Sequence, residues 1–146
     1  MEWKIKSFQQ LSPNELYAII QARIHVFVVE QACMYQDLDG YDQDSFHLFL
    51  QDADEIIAYA RLLPSSTIYK ESSIGRVITN KAYRGKGYGH ELMKRGMAFL
   101  LEQREEREIR LQAEYYIKDL YKGYGFEEVS DVFLEDGIEH IYMVYK

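Results

Sequence analysis

The sequence has little cysteine, no long apolar run and fewer basic than acidic residues. Its single cysteine, Cys33, cannot form an internal disulfide, which agrees with a reducing compartment, and we interpret it as a structural thiol. No run approaches the ~18 apolar residues of a membrane span, and the charged N-terminus lacks the apolar region of a leader. The net charge of −7 argues against nucleic-acid binding. We therefore expect a cytoplasmic protein with neither a membrane nor a nucleic-acid partner.

The hydrophobic pattern of the 146 residues predicts one domain over residues 1–146. Its elements follow the order β, α, β, β, β, α, β, α, β, β. Period-two alternation predicts strands over residues 3–8, 46–51, 56–63, 74–79, 108–113, 127–134 and 139–145. Helical periodicity predicts helices over residues 13–27, 87–102 and 115–124.

Two short sequence motifs indicate where secondary-structure elements begin or end. Ser12 offers an N-cap, Pro13 suits the first helical position, and Glu15 completes a capping box, so a helix begins here. Near the C-terminus, the pair Asp136 and Gly137 predicts a tight hairpin between the last two strands.

A glycine-rich loop follows the fourth strand. Gly85, Gly87 and Gly89 alternate with other residues, and Arg84 and Lys86 flank them at the start of an amphipathic helix. Uncovered backbone N–H groups at a helix N-terminus, beside basic side chains, form a cradle for a diphosphate. The spacing fits neither the P-loop pattern nor the dinucleotide fingerprint. The loop alone leaves a flexible surface loop as an equal alternative.

An acidic segment separates the first helix from the second strand. It carries Asp37, Asp39, Asp42 and Asp44 around Gly40, and it fails the EF-hand pattern at the fifth position, a ligand, and at the sixth, a glycine. We therefore predict no metal. We interpret the segment as a solvated loop, with a wall that attracts a cationic acceptor as the alternative.

Two motifs resemble signatures of the GNAT family of N-acetyltransferases. Arg84, Gly87 and Gly89 match the acyl-CoA motif Gln/Arg-x-x-Gly-x-Gly/Ala, and Tyr121 precedes Gly125 by four residues, as the general acid of that family does. Position 120 departs from the commoner Phe or Ala. The resemblance implies an α/β fold: a mixed, mostly antiparallel sheet of about six to seven strands with helices on both faces.

Further segments look like the ElaA-like subgroup of small bacterial acetyltransferases, so the resemblance covers nearly the whole chain. These segments span residues 23–31, 35–42 and 135–141. The subgroup brings no assigned acceptor with it.

The resemblance implies an acetyl transfer from acetyl-CoA to a primary amine, without a metal. An alkyl ammonium has a pKa near 10.4, so a base must remove a proton before the amine attacks. Glu30, in an apolar run where burial would raise its pKa, is a candidate base, as are His47 and, more weakly, His140. Each has a structural role as its alternative. A backbone N–H near Val77 or Ile78 would hold the oxyanion.

Tyr121 would protonate the CoA thiolate. The implied cofactor-binding residues are Val77, Ile78, Thr79, Arg84, Gly85, Lys86, Gly87, Tyr88, Gly89 and Tyr121.

Other functions stay open at this point. The chain could be a catalytically idle acyl-CoA sensor or interaction module, and the acceptor could be a small amine or the lysine or N-terminus of a protein. A homodimer is possible, since exposed tyrosines and Trp3 could form its face.

Overall fold

The computed structural model describes residues 1–32, 34 and 36–146. Cys33 lies outside the described residues. The strands are β1 (Glu2–Ser7), β2 (Phe46–Asp52), β3 (Glu55–Leu63), β4 (Ser72–Thr79), β5 (Ile109–Glu114), β6 (Glu127–Glu128), β7 (Phe133–Glu135) and β8 (Ile138–Tyr145). The α-helices are α1 (Pro13–Ile24), α2 (Tyr88–Ala98) and α3 (Lys118–Lys122). Wider π-helical turns extend α1 over His25–Glu30 and α2 over Phe99–Gln103.

The predicted capping box begins α1. The Ser12 hydroxyl accepts from the Glu15 N–H at 3.0 Å, and the Glu15 carboxylate accepts from the Ser12 N–H at 2.9 Å. Lys4 and Lys6 of β1 also donate to this carboxylate. Although burial opposes it, these donors lower the pKa of Glu15 to about 2. These contacts connect the N-terminus of α1 to β1.

The strands form one mixed sheet in the order β1-β2-β3-β4-β5-β8-β6, with β7 also pairing β8. Every pair is antiparallel except β4 with β5. The fold class is therefore confirmed, with eight strands. The additional strand arises because the predicted strand over 127–134 is divided: the Ser130 hydroxyl accepts from the Tyr142 N–H and interrupts the backbone ladder.

The predicted hairpin joins β7 to β8. Glu135 pairs with Ile138, so the loop contains two residues, Asp136 and Gly137. Both have positive φ, 53° and 77°, as a type I′ turn requires.

Helices cover both faces of the sheet. On one face, Leu48 and Leu62 pack with Leu92 of α2. On the other, Phe49 and Tyr59 pack with Ile19 of α1. Burial of a side chain of this size stabilises a fold by roughly 1.5–3 kcal/mol, so both layers hold the strands in register. Within the described part of the chain, no helix combines the length and hydropathy that a membrane crossing requires.

Candidate active site

The two parallel strands in the middle of the sheet diverge and leave a cleft. In the described structure, β4 and β5 pair only at Ser72 with Ile109 and at Ser73 with Arg110. Beyond these pairs β4 follows β3, whereas β5 follows β8. The gap forms a cleft of about 790 Å³. Such a volume suits a small-molecule site.

A β-bulge shapes the β4 wall of this cleft. Gly75 pairs with Arg61 and Ile78 with Tyr59, so β4 carries one residue more than β3 between these pairs. Arg76 has a φ of 53°, which is rare for a side chain other than glycine. A bulge takes a residue out of the ladder, so backbone groups next to Val77, which lines the cleft, are displaced from regular pairing. The sequence predicted a regular strand here.

The glycine-rich loop follows β4 and leads into α2. Gly85 and Gly87 have φ values of 79° and 86°, and Gly87 is the N-cap of α2. A Cβ placed on Gly85, Gly87 or Gly89 would meet no atom within 4 Å. The space above the loop is therefore open at the N-terminus of an 11-residue helix, and the residues fit a diphosphate.

Arg84 is held across the base of this loop. Its Nε donates to the Thr79 carbonyl at 3.0 Å, and its Nη2 donates to Glu30 at 2.8 Å. Lys86 lies over the ring of Tyr83, with Nζ 5.4 Å from the ring centroid. The charged groups of Arg84 and Lys86 are therefore both positioned beside the glycine-rich loop.

Glu30 is not in the apolar environment that the sequence suggested. It ends the π-helical turn after α1, and its side chain pairs with Arg84. This placement directs its carboxylate to the loop.

Tyr121 reaches the cleft from α3. Its ring packs against Phe126 with the centroids 6.3 Å apart, and the side chain lines the cavity. Burial, and next the charge of Glu114, raise the pKa of Tyr121 to about 12. The phenol is therefore protonated at neutral pH, as a proton donor must be.

His140 lines the same cleft as Tyr121. Its Nδ1 is 2.8 Å from the Ile138 carbonyl. Since a carbonyl only accepts, Nδ1 carries the hydrogen and Nε2 of the neutral ring is left to accept a proton. Glu114 of β5 lies opposite His140 in the ladder and also lines the cavity.

His47 lies in the core instead. It is fully buried, with Nδ1 2.7 Å from the Tyr59 hydroxyl and Nε2 3.0 Å from the Asp42 carbonyl. Burial lowers the pKa of His47 and favours the neutral ring. Both ring nitrogens are engaged away from the cleft, which supports the structural alternative over the role of base.

The interpretation of the acidic segment as a solvated loop is wrong. Asp37 and Asp42 are buried, and Arg23 of α1 contacts both carboxylates, at 2.9 Å and 2.8 Å. Arg61 of β3 holds Asp39 with two bonds of 2.8 Å and Asp42 at 3.1 Å. Asp39 lines the cleft, but Arg61 balances its charge, so this residue offers little net negative charge to a cationic acceptor.

Arg76 joins this network from the bulge of β4. It donates to Asp37 at 3.1 Å and to Asp39 at 3.2 Å. The three arginines and three aspartates, hereafter the Arg–Asp network, comprise Arg23, Arg61, Arg76, Asp37, Asp39 and Asp42. Among the described residues, no group of three or more His, Cys, Asp or Glu side chains is placed to hold a metal ion.

Three further carboxylates that line the cleft were missed from the sequence. Glu114, Glu135 and Asp136 line it near His140. Asp136 was recognised only as a turn residue. The signal that could have found Glu114 is its position directly after the predicted strand over residues 108–113.

The sequence and the fold are similar to those of known proteins. A family model described as an acetyltransferase (GNAT) domain matches residues 9–146. Protein ElaA of Escherichia coli is 39% identical over 98% of this chain and 95% of its own. Its crystal structure superposes with a TM-score of 0.93 at 38% identity, covering 100% of both chains.

Two further proteins extend the comparison. The crystal structure of an acyl-CoA N-acyltransferase from Pseudomonas aeruginosa gives a TM-score of 0.96 at 39% identity, covering 99% of each chain. A UPF0039 protein of Schizosaccharomyces pombe is 37% identical over 98% of this chain and 95% of its own. Similar sequences therefore occur outside bacteria.

Proposed function

From the premise that the chain belongs to the GNAT family of acetyltransferases, within which it is similar to ElaA, we propose that it transfers an acetyl group from acetyl-CoA to a primary amine. The observation that carries the proposal is that β4 connects the two sites. β4 contributes Val77 to the cleft and ends at Thr79, shortly before the glycine-rich loop, and the protonated phenol of Tyr121 lines that cleft. A diphosphate at the loop would leave the rest of acyl-CoA free to enter the cleft.

The proposed chemistry is a direct attack on the thioester. His140 takes a proton from the ammonium, and the free amine attacks the carbonyl carbon. Backbone N–H groups near Val77 and Ile78 stabilise the oxyanion, a contribution of about 3 kcal/mol in comparable acyl transfers. The C–S bond breaks, and Tyr121 gives its proton to the leaving thiolate. The amide nitrogen loses its second proton, and a proton returns to the phenolate of Tyr121. The remaining cofactor-binding assignments rest on the same cradle, around Gly87.

The acceptor is proposed to be cationic. Glu114, Glu135 and Asp136 line the cleft near His140, where the attacking nitrogen would arrive. Carboxylates there favour an ammonium over a neutral or anionic group.

The first experiment measures cofactor binding. Saturating acetyl-CoA or CoA, at about a hundred times Kd, should add about 2.7 kcal/mol to stability and raise the melting temperature by several degrees. NAD and ATP serve as controls. A shift with NAD or ATP but not with acetyl-CoA would refute the proposal.

The second experiment measures transfer by thiol release from acetyl-CoA across a panel of diamines, amino sugars, amino acids and lysine peptides. Release with any of them identifies the acceptor class. Binding without transfer to any amine would favour the idle sensor.

Tyr121→Phe tests the acid. We expect kcat to fall at least tenfold while the KM for acetyl-CoA changes little, because the ring and its packing remain. Tyr116→Phe is the matched control, since Tyr116 is close in sequence but 77% exposed. Equal activity of the two variants would remove Tyr121 from the acid role.

A further inference from the structure

Glu30 and Arg84 bring the glycine-rich loop into contact with the turn that follows α1. Arg84 Nη2 lies 2.8 Å from Glu30 Oε2, although 54 residues separate them in the chain. His25 Nε2 lies 3.7 Å from the other carboxylate oxygen. The pair lies at the surface, with 44% of the Arg84 side chain and 20% of the Glu30 side chain exposed, and through it the loop arginine already holds an anion of the protein itself.

A carboxylate and a diphosphate use the same donors of a guanidinium. Both accept paired N–H bonds, and both are attracted by its charge. We propose that Glu30 is an internal competitor for Arg84, which the diphosphate of acyl-CoA displaces on binding. This inference rests on the proposed function, and it gives Glu30 a positioning role in place of the role of base.

Displacement would be transmitted to the cleft. Gln31 and Ala32 directly follow Glu30, and both line the cavity. Ala32 has a φ of 49°, a left-handed conformation that costs an alanine free energy. Since the ion pair fixes the residue two positions before this strained alanine, release of Glu30 frees the segment to relax. Binding at the loop thereby alters one wall of the cleft.

The test compares CoA affinity by titration calorimetry. Glu30→Gln removes the competing charge but keeps an oxygen that can accept from Arg84. We expect it to bind CoA roughly threefold to tenfold more tightly, with the gain shrinking at high salt because the effect is electrostatic. Unchanged or weaker binding would overturn the inference.

Two variants separate competition from a general charge effect. Glu91→Gln removes the same charge from the first turn of α2, where Glu91 pairs with Arg95 instead of Arg84. Its CoA affinity should change much less than that of Glu30→Gln. In an Arg84→Ala background, Glu30→Gln should give no gain. A gain in that background, or an equal gain with Glu91→Gln, would contradict competition.

Hydrogen exchange supplies a readout independent of affinity. Addition of CoA should increase amide exchange over residues 28–32 of the natural protein, whereas Glu30→Gln should show faster exchange there before CoA is added. Protection of this segment by CoA would overturn the inference. If CoA does not bind the natural protein, the proposed function fails instead. A large loss of kcat in Glu30→Gln at unchanged CoA affinity would restore the role of base.

Discussion

Removal of one charge from the Arg–Asp network should destabilise the protein far more than removal of the same charge a few residues away. Asp42→Asn is the perturbation. One oxygen of Asp42 lies 2.8 Å from Arg23 and 3.1 Å from Arg61, and all three residues are buried. The substitution keeps the shape of the side chain but leaves two buried cations to share the remaining carboxylates.

The expected loss is large because charges inside a protein are costly without partners. Breaking a buried ion pair typically costs about 3–5 kcal/mol, and the amide oxygen can still accept one bond, so we expect about 3 kcal/mol. For a chain of this length this lowers the melting temperature by roughly 10 °C.

The assay is urea unfolding followed by circular dichroism and by the fluorescence of Trp3. Asp44→Asn is the control, since it removes the same charge from the same segment at an exposed position. Its stability should stay within about 0.5 kcal/mol of the natural protein. If Asp42→Asn lost less than about 1 kcal/mol, the network would stabilise the fold no more than surface pairs do, and the reasoning would be refuted.

Two other predictions follow from the loop and from acid titration. Gly87→Ala should weaken acetyl-CoA binding about tenfold in calorimetry, because alanine is strained at a φ of 86° and its methyl group enters the open space of the cradle. Gly40→Ala, at a φ of 87° far along the chain, should leave that affinity unchanged, and an equal loss there would contradict the prediction. Against burial, Arg61 lowers the pKa of Asp39 from 3.8 to about 2, so the unfolded chain binds more protons than the folded one as pH falls from about 5 to 2. Because solvent partly screens Asp39, stability measured by urea midpoints should fall by about 1 kcal/mol more over this range than in Asp39→Asn, and equal slopes would refute the assignment.

Features set by neighbouring residues could be predicted from the sequence. The capping box of Ser12 and Glu15 and the turn at Asp136 and Gly137 depend only on residues within one turn. The spacing of Arg84 to Gly89 likewise placed a loop at the start of α2. In each case the backbone conformation follows from side chains that act on their own segment.

Partners distant in sequence could not be predicted. Asp37 and Asp42 looked like solvated residues because nothing beside them pairs with them. Their arginines come from α1, β3 and β4, and only the sheet brings these elements together. Arg23 follows Ile19 and Ile20 at helical spacing, but that pattern could not show that its charge is buried with carboxylates.

The candidate bases show the same limit. Alternation placed His47 on one face of β2, but it could not show that α1 covers that face. Glu30 was expected in an apolar environment because most of its neighbours in sequence are apolar. The sequence could not show that its partner is Arg84, which comes 54 residues later. His140 reaches the cleft because β8 pairs with β5, a contact that sequence order does not reveal.

The divergence of β4 and β5 also affects how the sheet can deform. Six residue pairs join β1 to β2, and six join β5 to β8, whereas two join β4 to β5 among the described residues. The sheet therefore consists of two well-connected panels, β1–β4 and β5–β8, with a short seam between them. A small rotation of one panel against the other strains few backbone hydrogen bonds, so the sheet is mechanically weakest along the cleft. A molecule that spans the cleft contacts both panels and therefore resists their rotation against each other.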